Sequence, residues 1–131
     1  MDITIIISNL SNDPIYLQII DQIKGLIFSG EIKEGDALPS MRNLAKDLQV
    51  SVITTKRAYE ELEKEGFIVS LTGKGSFVSG QNKDLLRTKK MKILEEKLKE
   101  VLKESKILNL SMEEIIDIMK LLKEDVKWAV Y

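Results

Sequence analysis

The 131-residue sequence contains no cysteine and no histidine. The first absence excludes a disulfide framework, a thiolate nucleophile and a cysteine-ligated zinc site. The second removes the commonest general base and the commonest metal ligand. Carboxylates alone can bind a hard cation, but no stretch resembles a calcium loop. No run approaches the roughly 20 apolar residues that a membrane span needs. The apolar start, Ile3 to Ile7, is short, follows an acid where a secretory signal wants basic charge, and leads to no small-residue cleavage site. A cytoplasmic protein with no membrane partner is therefore expected. A surplus of positive charge is also lacking. The formal net charge is −1; residues 1–80 carry 8 basic and 11 acidic groups, and residues 81–131 carry 12 and 10. A domain-wide basic patch for nucleic acid is missing, so any attraction to phosphate must come from a few cations on one face. The titratable side chains are nowhere grouped as a catalytic site. No enzyme activity, metal or cofactor is expected.

What is present is enough apolar material for a core, 44% of residues, arranged with clear periodicity. Residues 3–8 are β-branched and read as a short buried strand. Asn9 to Asp13 is a turn, with Asp13 as N-cap and Pro14 at the first helical position. Ile15, Ile19, Ile23 and Ile27 then recur every fourth residue with Tyr16, Ile20 and Leu26 beside them, the apolar stripe of a helix that stops at Ser29-Gly30. A connector follows over residues 31–38 and bends at Gly35.

Residues 36–80 carry the most information. Ser40 caps a short helix that buries Met41, Leu44, Ala45 and Leu48, and Gln49-Val50 makes a tight break. Ser51 caps a further helix that runs to about Glu65 and stops at Gly66. On it Thr55, Ala58, Tyr59 and Leu62 share the core face, Ile53, Arg57 and Glu60 point the opposite way, and Thr54 and Lys56 flank them. Phe67–Leu71 and Ser76–Ser79 then read as a hairpin around Thr72-Gly73-Lys74-Gly75, whose glycines permit positive φ at the tip. The N-terminal strand is the expected third strand of that sheet. Two helices around a tight turn, followed by a glycine-tipped hairpin, make a winged helix-turn-helix suited to the DNA major groove and the flank beside it.

The character changes from Gln81 onwards. Residues 83–92 hold five basic groups and one acid, and read as a linker running into a helix. Met91, Leu94, Leu98, Val101, Ser105 and Leu108 follow a short heptad seam, widened by Leu86 and Leu102. Asn109-Leu110 is a break. Ser111 and Glu114 have the spacing of a capping box, with Leu110 and Ile115 as its hydrophobic staple. Met112, Ile115, Ile116, Met119, Leu122 and Val126 give the last helix one apolar face. Two helices in about 50 residues cannot bury both stripes alone, so a second subunit is the expected source of surface.

From Pro14 to about Gly80 the sequence resembles the GntR family of bacterial transcription regulators. The resemblance rests on Pro14-Ile15-Tyr16-Leu17-Gln18-Ile19, Gly30-Glu31-Ile32, Gly35-Asp36-Ala37-Leu38-Pro39-Ser40-Met41-Arg42-Asn43-Leu44-Ala45, Val50-Ser51, Tyr59 to Ile68 and Gly73-Lys74-Gly75, in order and at compatible spacing. The short two-helix tail resembles the YtrA-type branch. The resemblance implies that Arg42 contacts the DNA backbone, that Ser51, Thr54 and Lys56 lie at the N-terminal part of the recognition helix, and that Thr72 and Gly73 put the wing tip into the minor groove. It departs at Val52-Ile53, where many members carry a basic or polar pair, so base contacts from those positions do not carry over.

The expected fold class is mainly α with a small β-sheet: a winged helix-turn-helix DNA-binding domain over residues 1–80 and a helical dimerisation region over residues 81–131. The expected DNA-binding set is Ser40, Arg42, Ser51, Val52, Ile53, Thr54, Lys56, Arg57, Thr72, Gly73 and Lys74. Ile53 lies on the outward face and suits a thymine methyl in the major groove. Lys74, a cation between glycines, suits a narrow minor groove. The expected function is a homodimeric, sequence-specific regulator, a repressor of a palindromic double-stranded DNA operator. The alternative is a winged-helix module whose acidic surface binds another protein. No polar cluster in the tail identifies a small-molecule effector.

Overall fold

The computed structural model describes residues 3–80 and 83–126. In chain order the elements are α1 (Ile15–Ser29), α2 (Met41–Leu48), α3 (Val52–Lys64), β1 (Ile68–Leu71), β2 (Gly75–Val78), α4 (Lys83–Ile107) and α5 (Met112–Val126). They fall into two compact units, one ending at Lys83 and the other beginning at Asp84.

The first unit is built on the apolar stripe of α1. Ile19, Ile20, Ile23 and Ile27 are buried, whereas Ile15 at the start of the stripe is exposed. Leu44 and Ala45 of α2 and Thr55, Ala58, Tyr59 and Leu62 of α3 supply further core, as the helical periodicity predicts, whereas Met41 and Leu48 of α2 are only half-buried. Phe67, Ile68 and Val78 add the inner face of the antiparallel hairpin, whose register pairs Ile68 with Val78, Val69 with Phe77, Ser70 with Ser76 and Leu71 with Gly75. The Lys24 stem is buried, with its ammonium 2.9 Å from Glu65 and 5.1 Å from the centre of the Phe67 ring. α1 ends at Gly30, whose φ of 83° puts it in the left-handed region that glycine adopts without a Cβ penalty.

Three expectations need correction here. Residues 3–8 form no strand. The free edge of β2 is instead taken by the connector: Gly35 donates to the Val78 carbonyl, Val78 to that of Asp36 and Leu38 to that of Ser76, with a bridge between Ala37 and Phe77. The N-terminal segment finds its partners in two side-chain amides of α1. Gln22 accepts from the Ile6 N–H at 2.8 Å and donates to the Ile6 carbonyl at 2.6 Å. Gln18 accepts from the Ser8 N–H at 2.9 Å and donates to the carbonyls of Ser8 and Asp13. A primary amide offers a donor and an acceptor side by side, as a neighbouring strand would.

Asp13 does not cap α1. Pro14 holds the cap position at φ −55° and ψ 152° without a side-chain cap, and its carbonyl accepts from both Leu17 and Gln18. The Asp13 backbone is otherwise engaged: its N–H donates to Ser11 Oγ and its carbonyl accepts from Gln18. Finally, residues 83–92 are not a linker ahead of a helix. They are the first turns of α4, which begins at Lys83. Leucine, lysine and arginine lose little rotamer freedom in a helix, so charge density alone did not mark a break.

In the second unit Asn109 takes φ 58° and ends α4, where the break is expected. The capping box of α5 is formed in both directions: Glu114 N–H to Ser111 Oγ and Ser111 N–H to Glu114 Oε1, each 3.1 Å. Ser105, a polar member of the seam, is buried and donates to the Val101 carbonyl at 2.7 Å.

Candidate nucleic-acid interface

The interface starts from two serines that begin two helices. Ser40 Oγ accepts from the Asn43 N–H and Ser51 Oγ from the Ile53 N–H, each at 3.1 Å, so α2 and α3 both start where the sequence places them. Between them Gln49 takes φ 56°, and its N–H turns back to the carbonyls of Ala45 and Lys46. This left-handed residue makes the break tight.

Two buried polar side chains then fix the angle between the helices. Thr55, fully buried, has its hydroxyl 2.9 Å from the Met41 carbonyl and 3.0 Å from that of Val52. The first contact ties the N-terminus of α2 to the first turn of α3. The Tyr59 hydroxyl donates to the Pro39 carbonyl at 2.6 Å. Burial pushes its phenol pKa well above the ordinary value, so it remains a protonated donor at any physiological pH. Both residues lie on the face the sequence assigns to the core, and both spend their polar atoms on holding α2 against α3.

That arrangement leaves the opposite face of α3 open. Val52 and Ile53 are exposed, Ile53 to 78%. Lys56 and Arg57 are exposed beside them and Thr54 is half-buried. The cations are not equivalent. Lys56 Nζ lies 3.9 Å from Glu60 one turn on, both side chains well exposed, a loose pair that contributes little and leaves the lysine available. The Arg57 guanidinium instead lies over the Tyr16 ring of α1, 3.7 Å from its centre. Arg42 and Lys46 are exposed on α2. At the hairpin tip Thr72, Gly73 and Lys74 are all exposed, Gly73 has φ 76°, and the Lys74 N–H closes the turn on the Leu71 carbonyl at 2.9 Å. All eleven residues of the expected set therefore sit in the first unit, with Ser51 to Arg57 along one helix, Ser40 and Arg42 on its neighbour and Thr72 to Lys74 on the hairpin.

Tyr16 is the residue that sequence reasoning overlooked. Its helical position assigned it to the α1 stripe, yet its half-buried ring carries an arginine from α3. No local spacing connects positions 16 and 57; only the packing of α1 on α3 does. Among the described residues, no cluster of histidine, cysteine, aspartate or glutamate could hold a metal ion, and no helix is long and apolar enough to cross a membrane.

Residues 15–78 match the family described as bacterial regulatory proteins, gntR family. The HTH-type transcriptional repressor YtrA of Bacillus subtilis (strain 168) is 38% identical over 117 residues, which cover 89% of this chain and 90% of the relative. A transcriptional antiterminator from Listeria monocytogenes EGD-e has a similar crystal structure, with a TM-score of 0.74 and 32% identity over 96% of this chain and 94% of its own. The DNA-binding domain of AraR, solved in complex with operator ORX1, covers 56% of this chain and 92% of its own with a TM-score of 0.51 and 29% identity. With a winged helix of this geometry and a relative matched through the tail as well, the chain belongs to the gntR family of bacterial regulatory proteins, in its YtrA-type branch, and is a DNA-binding transcription regulator.

Proposed function

We propose that the protein is a homodimeric repressor in the cytoplasm that binds a palindromic operator, with residues 1–80 on the DNA and residues 81–131 joining the subunits. The observation that carries the DNA reading is the outward face of α3, where an exposed Ile53 is set among Val52, Lys56 and Arg57 while Thr55 and Tyr59 fix the helix from behind. In this reading α3 enters the major groove. Ser51, Val52, Thr54 and Lys56 lie against the groove walls and Ile53 meets a thymine methyl. Ser40 at the start of α2 and Arg42 in its first turn approach a backbone phosphate, which sets register without reading bases. Thr72, Gly73 and Lys74 reach the flanking minor groove, where a lone cation favours the narrow groove of A·T-rich sequence.

The dimer reading is supported by the apolar surface of the second unit. Met91, Leu94, Leu98, Val101 and Leu102 of α4, and Met112, Ile116, Met119 and Leu122 of α5, are each at least 39% exposed in the single chain. Closed two-fold dimers are the commonest way to cover such a face, and a two-fold protein meets a two-fold operator.

Selection of bound duplexes from a random pool tests the function. A palindromic consensus with half-sites roughly 10 bp apart, or a multiple of that, is expected. Moving one half-site by about 5 bp then puts it on the opposite face of the duplex and must weaken binding. Equal affinity for both spacings overturns the symmetric dimer. Absence of any salt-sensitive duplex binding overturns the DNA reading and favours a protein partner for the acidic first unit.

A further inference from the structure

Arg57 differs from the other cations of the interface in what surrounds it. Lys56 has Glu60 one turn away, and Arg42, Lys46 and Lys74 are exposed with no aromatic ring against them among the described residues. Among the described residues Arg57 has no ion-pair or hydrogen-bond partner; its guanidinium carbon lies over the Tyr16 ring, 3.7 Å from the ring centre. A guanidinium stacked by its face keeps its N–H groups directed outward from its edge. An exposed arginine ordinarily samples many rotamers and loses that freedom on meeting a ligand. Stacking removes much of this freedom before the ligand arrives.

The position of the pair suggests what the edge meets. Arg57 follows Ile53 by one helical turn on α3, so it continues the exposed stripe away from the N-terminal end of the helix. Tyr16 belongs to a different helix, in the first turn of α1, and is half-buried. The pair thus braces α1 against α3 at the border of the exposed face. A helix seated in a groove meets sugar and phosphate at such a border. A planar fork of N–H donors that has no carboxylate partner suits a phosphate diester there.

We propose that Arg57 holds a backbone phosphate of the operator duplex and that Tyr16 is a positioning residue that presents it, through its ring and not its hydroxyl. The proposal rests on the DNA-binding reading above and adds a residue outside the helix-turn-helix to the interface. It also gives Arg57 a task different from that of Ile53, since a phosphate contact is blind to sequence.

The test is equilibrium binding of the full chain to its selected operator, and to scrambled duplex, over a range of salt concentrations. Arg57→Ala should weaken binding to both duplexes by the same factor. It should also lower the slope of log affinity against log salt by roughly 0.9 for each Arg57 engaged. Tyr16→Ala should weaken binding about two- to five-fold per subunit, the range expected for an exposed cation–π contact, because the charge is retained but no longer held. Tyr16→Phe should bind like the parent. Arg57→Lys should keep the salt slope and lose affinity, since an ammonium neither stacks nor forks in the same way. In the Arg57→Ala background, Tyr16→Ala should cost nothing more.

Thermal melts of every variant serve as the folding control, and Arg57→Lys and Tyr16→Phe keep the proposal testable if either alanine variant fails to fold. An unchanged slope for Arg57→Ala overturns the phosphate contact, and so does a loss confined to one base position. A loss for Tyr16→Phe equal to that for Tyr16→Ala overturns the ring role in favour of the hydroxyl. Additive effects of the two alanine variants overturn the coupling. If the parent chain itself binds no duplex, the DNA reading fails first and the proposal fails with it.

Discussion

The two units use the same kinds of apolar residue to opposite ends. In the first, the isoleucines of α1, Leu44 of α2 and Tyr59 and Leu62 of α3 close on one another, and the hairpin adds Phe67, Ile68 and Val78. In the second, Leu86 and Ile115 are the buried apolar side chains among the described residues, while the other leucines and isoleucines of α4 and α5 are exposed, several to half or more. Burial of apolar area is the main favourable term in folding, so the first unit has a core of its own and the second does not. The difference is one of geometry. Three helices crossed at angles around a hairpin enclose a volume, whereas two helices joined by a short break at Asn109 have two apolar faces and too little surface to cover them.

The largest expected effect comes from setting one leucine against another. Leu62→Ala, at a fully buried position, should cost about 2–5 kcal/mol in chemical denaturation of the first unit. Leu98→Ala, at an exposed seam position, should leave that transition in place and instead make sedimentation depend more steeply on protein concentration. If both substitutions shift the same unfolding transition equally at low concentration, the contrast between a closed core and an open face is wrong.

A smaller effect tests how the first unit secures its N-terminal edge. Gln22→Ala removes both hydrogen bonds to the Ile6 backbone and should cost about 1–2 kcal/mol. Amide exchange at Ile6 should accelerate while the amides of α3 remain protected. Uniform loss of protection would mean that the segment is integral to the core and not a separate strap.

Tyr59 supplies a pH test of comparable or lesser size. Burial raises its phenol pKa in the folded state, so the neutral form is favoured there. Its contribution is therefore complete below the unfolded value of about 10 and is lost as pH rises beyond it. Denaturation midpoints measured through that range should fall less steeply for Tyr59→Phe than for the parent. At neutral pH that variant should lose about 1 kcal/mol with the bond to the Pro39 carbonyl. Identical alkaline profiles would remove Tyr59 from the account.

The smallest stability effect should accompany a clear functional one. Ile53→Ala, at an exposed position, should change stability by no more than about 0.5 kcal/mol. Selection from a random pool should nevertheless show relaxed preference at one half-site position, and uracil in place of that thymine should mimic the substitution. Unchanged selectivity returns Ile53 to the ordinary apolar surface.

Much of this architecture was legible because its signals are local. Ser40, Ser51 and the Ser111–Glu114 pair announce helix starts through hydrogen bonds spanning two or three residues, and the structure has each of them. The inward face of α3 follows from 3.6-residue periodicity, and Gly30 and the glycines around Lys74 mark places where a Cβ is unwelcome. The failures share another cause. The β-branched run at residues 3–8 has the propensity of a strand, but a strand requires a free partner edge, and residues 35–38 hold the one on β2. Asp13 has the right chemistry for a cap, but its backbone is engaged by Ser11 and Gln18. Gln18 and Gln22 hold the backbone of Ile6, Ser8 and Asp13 instead, a role that no short-range pattern encodes.

The sequence by itself determined where α2, α3 and α5 begin, where α1 and α4 stop, which face of α3 is core, and that the tail carries more apolar surface than two helices can bury. These follow from backbone hydrogen-bond needs and side-chain period, which act over a few residues. Tertiary structure alone decided which segment completes the sheet, that Gln18 and Gln22 stand in for a strand, and that Arg57 of α3 rests on Tyr16 of α1. Those outcomes depend on which groups of distant residues reach each other once α1 packs on α3. Periodicity fixes the direction a side chain leaves its helix, but the neighbour it meets is set by how the helices cross.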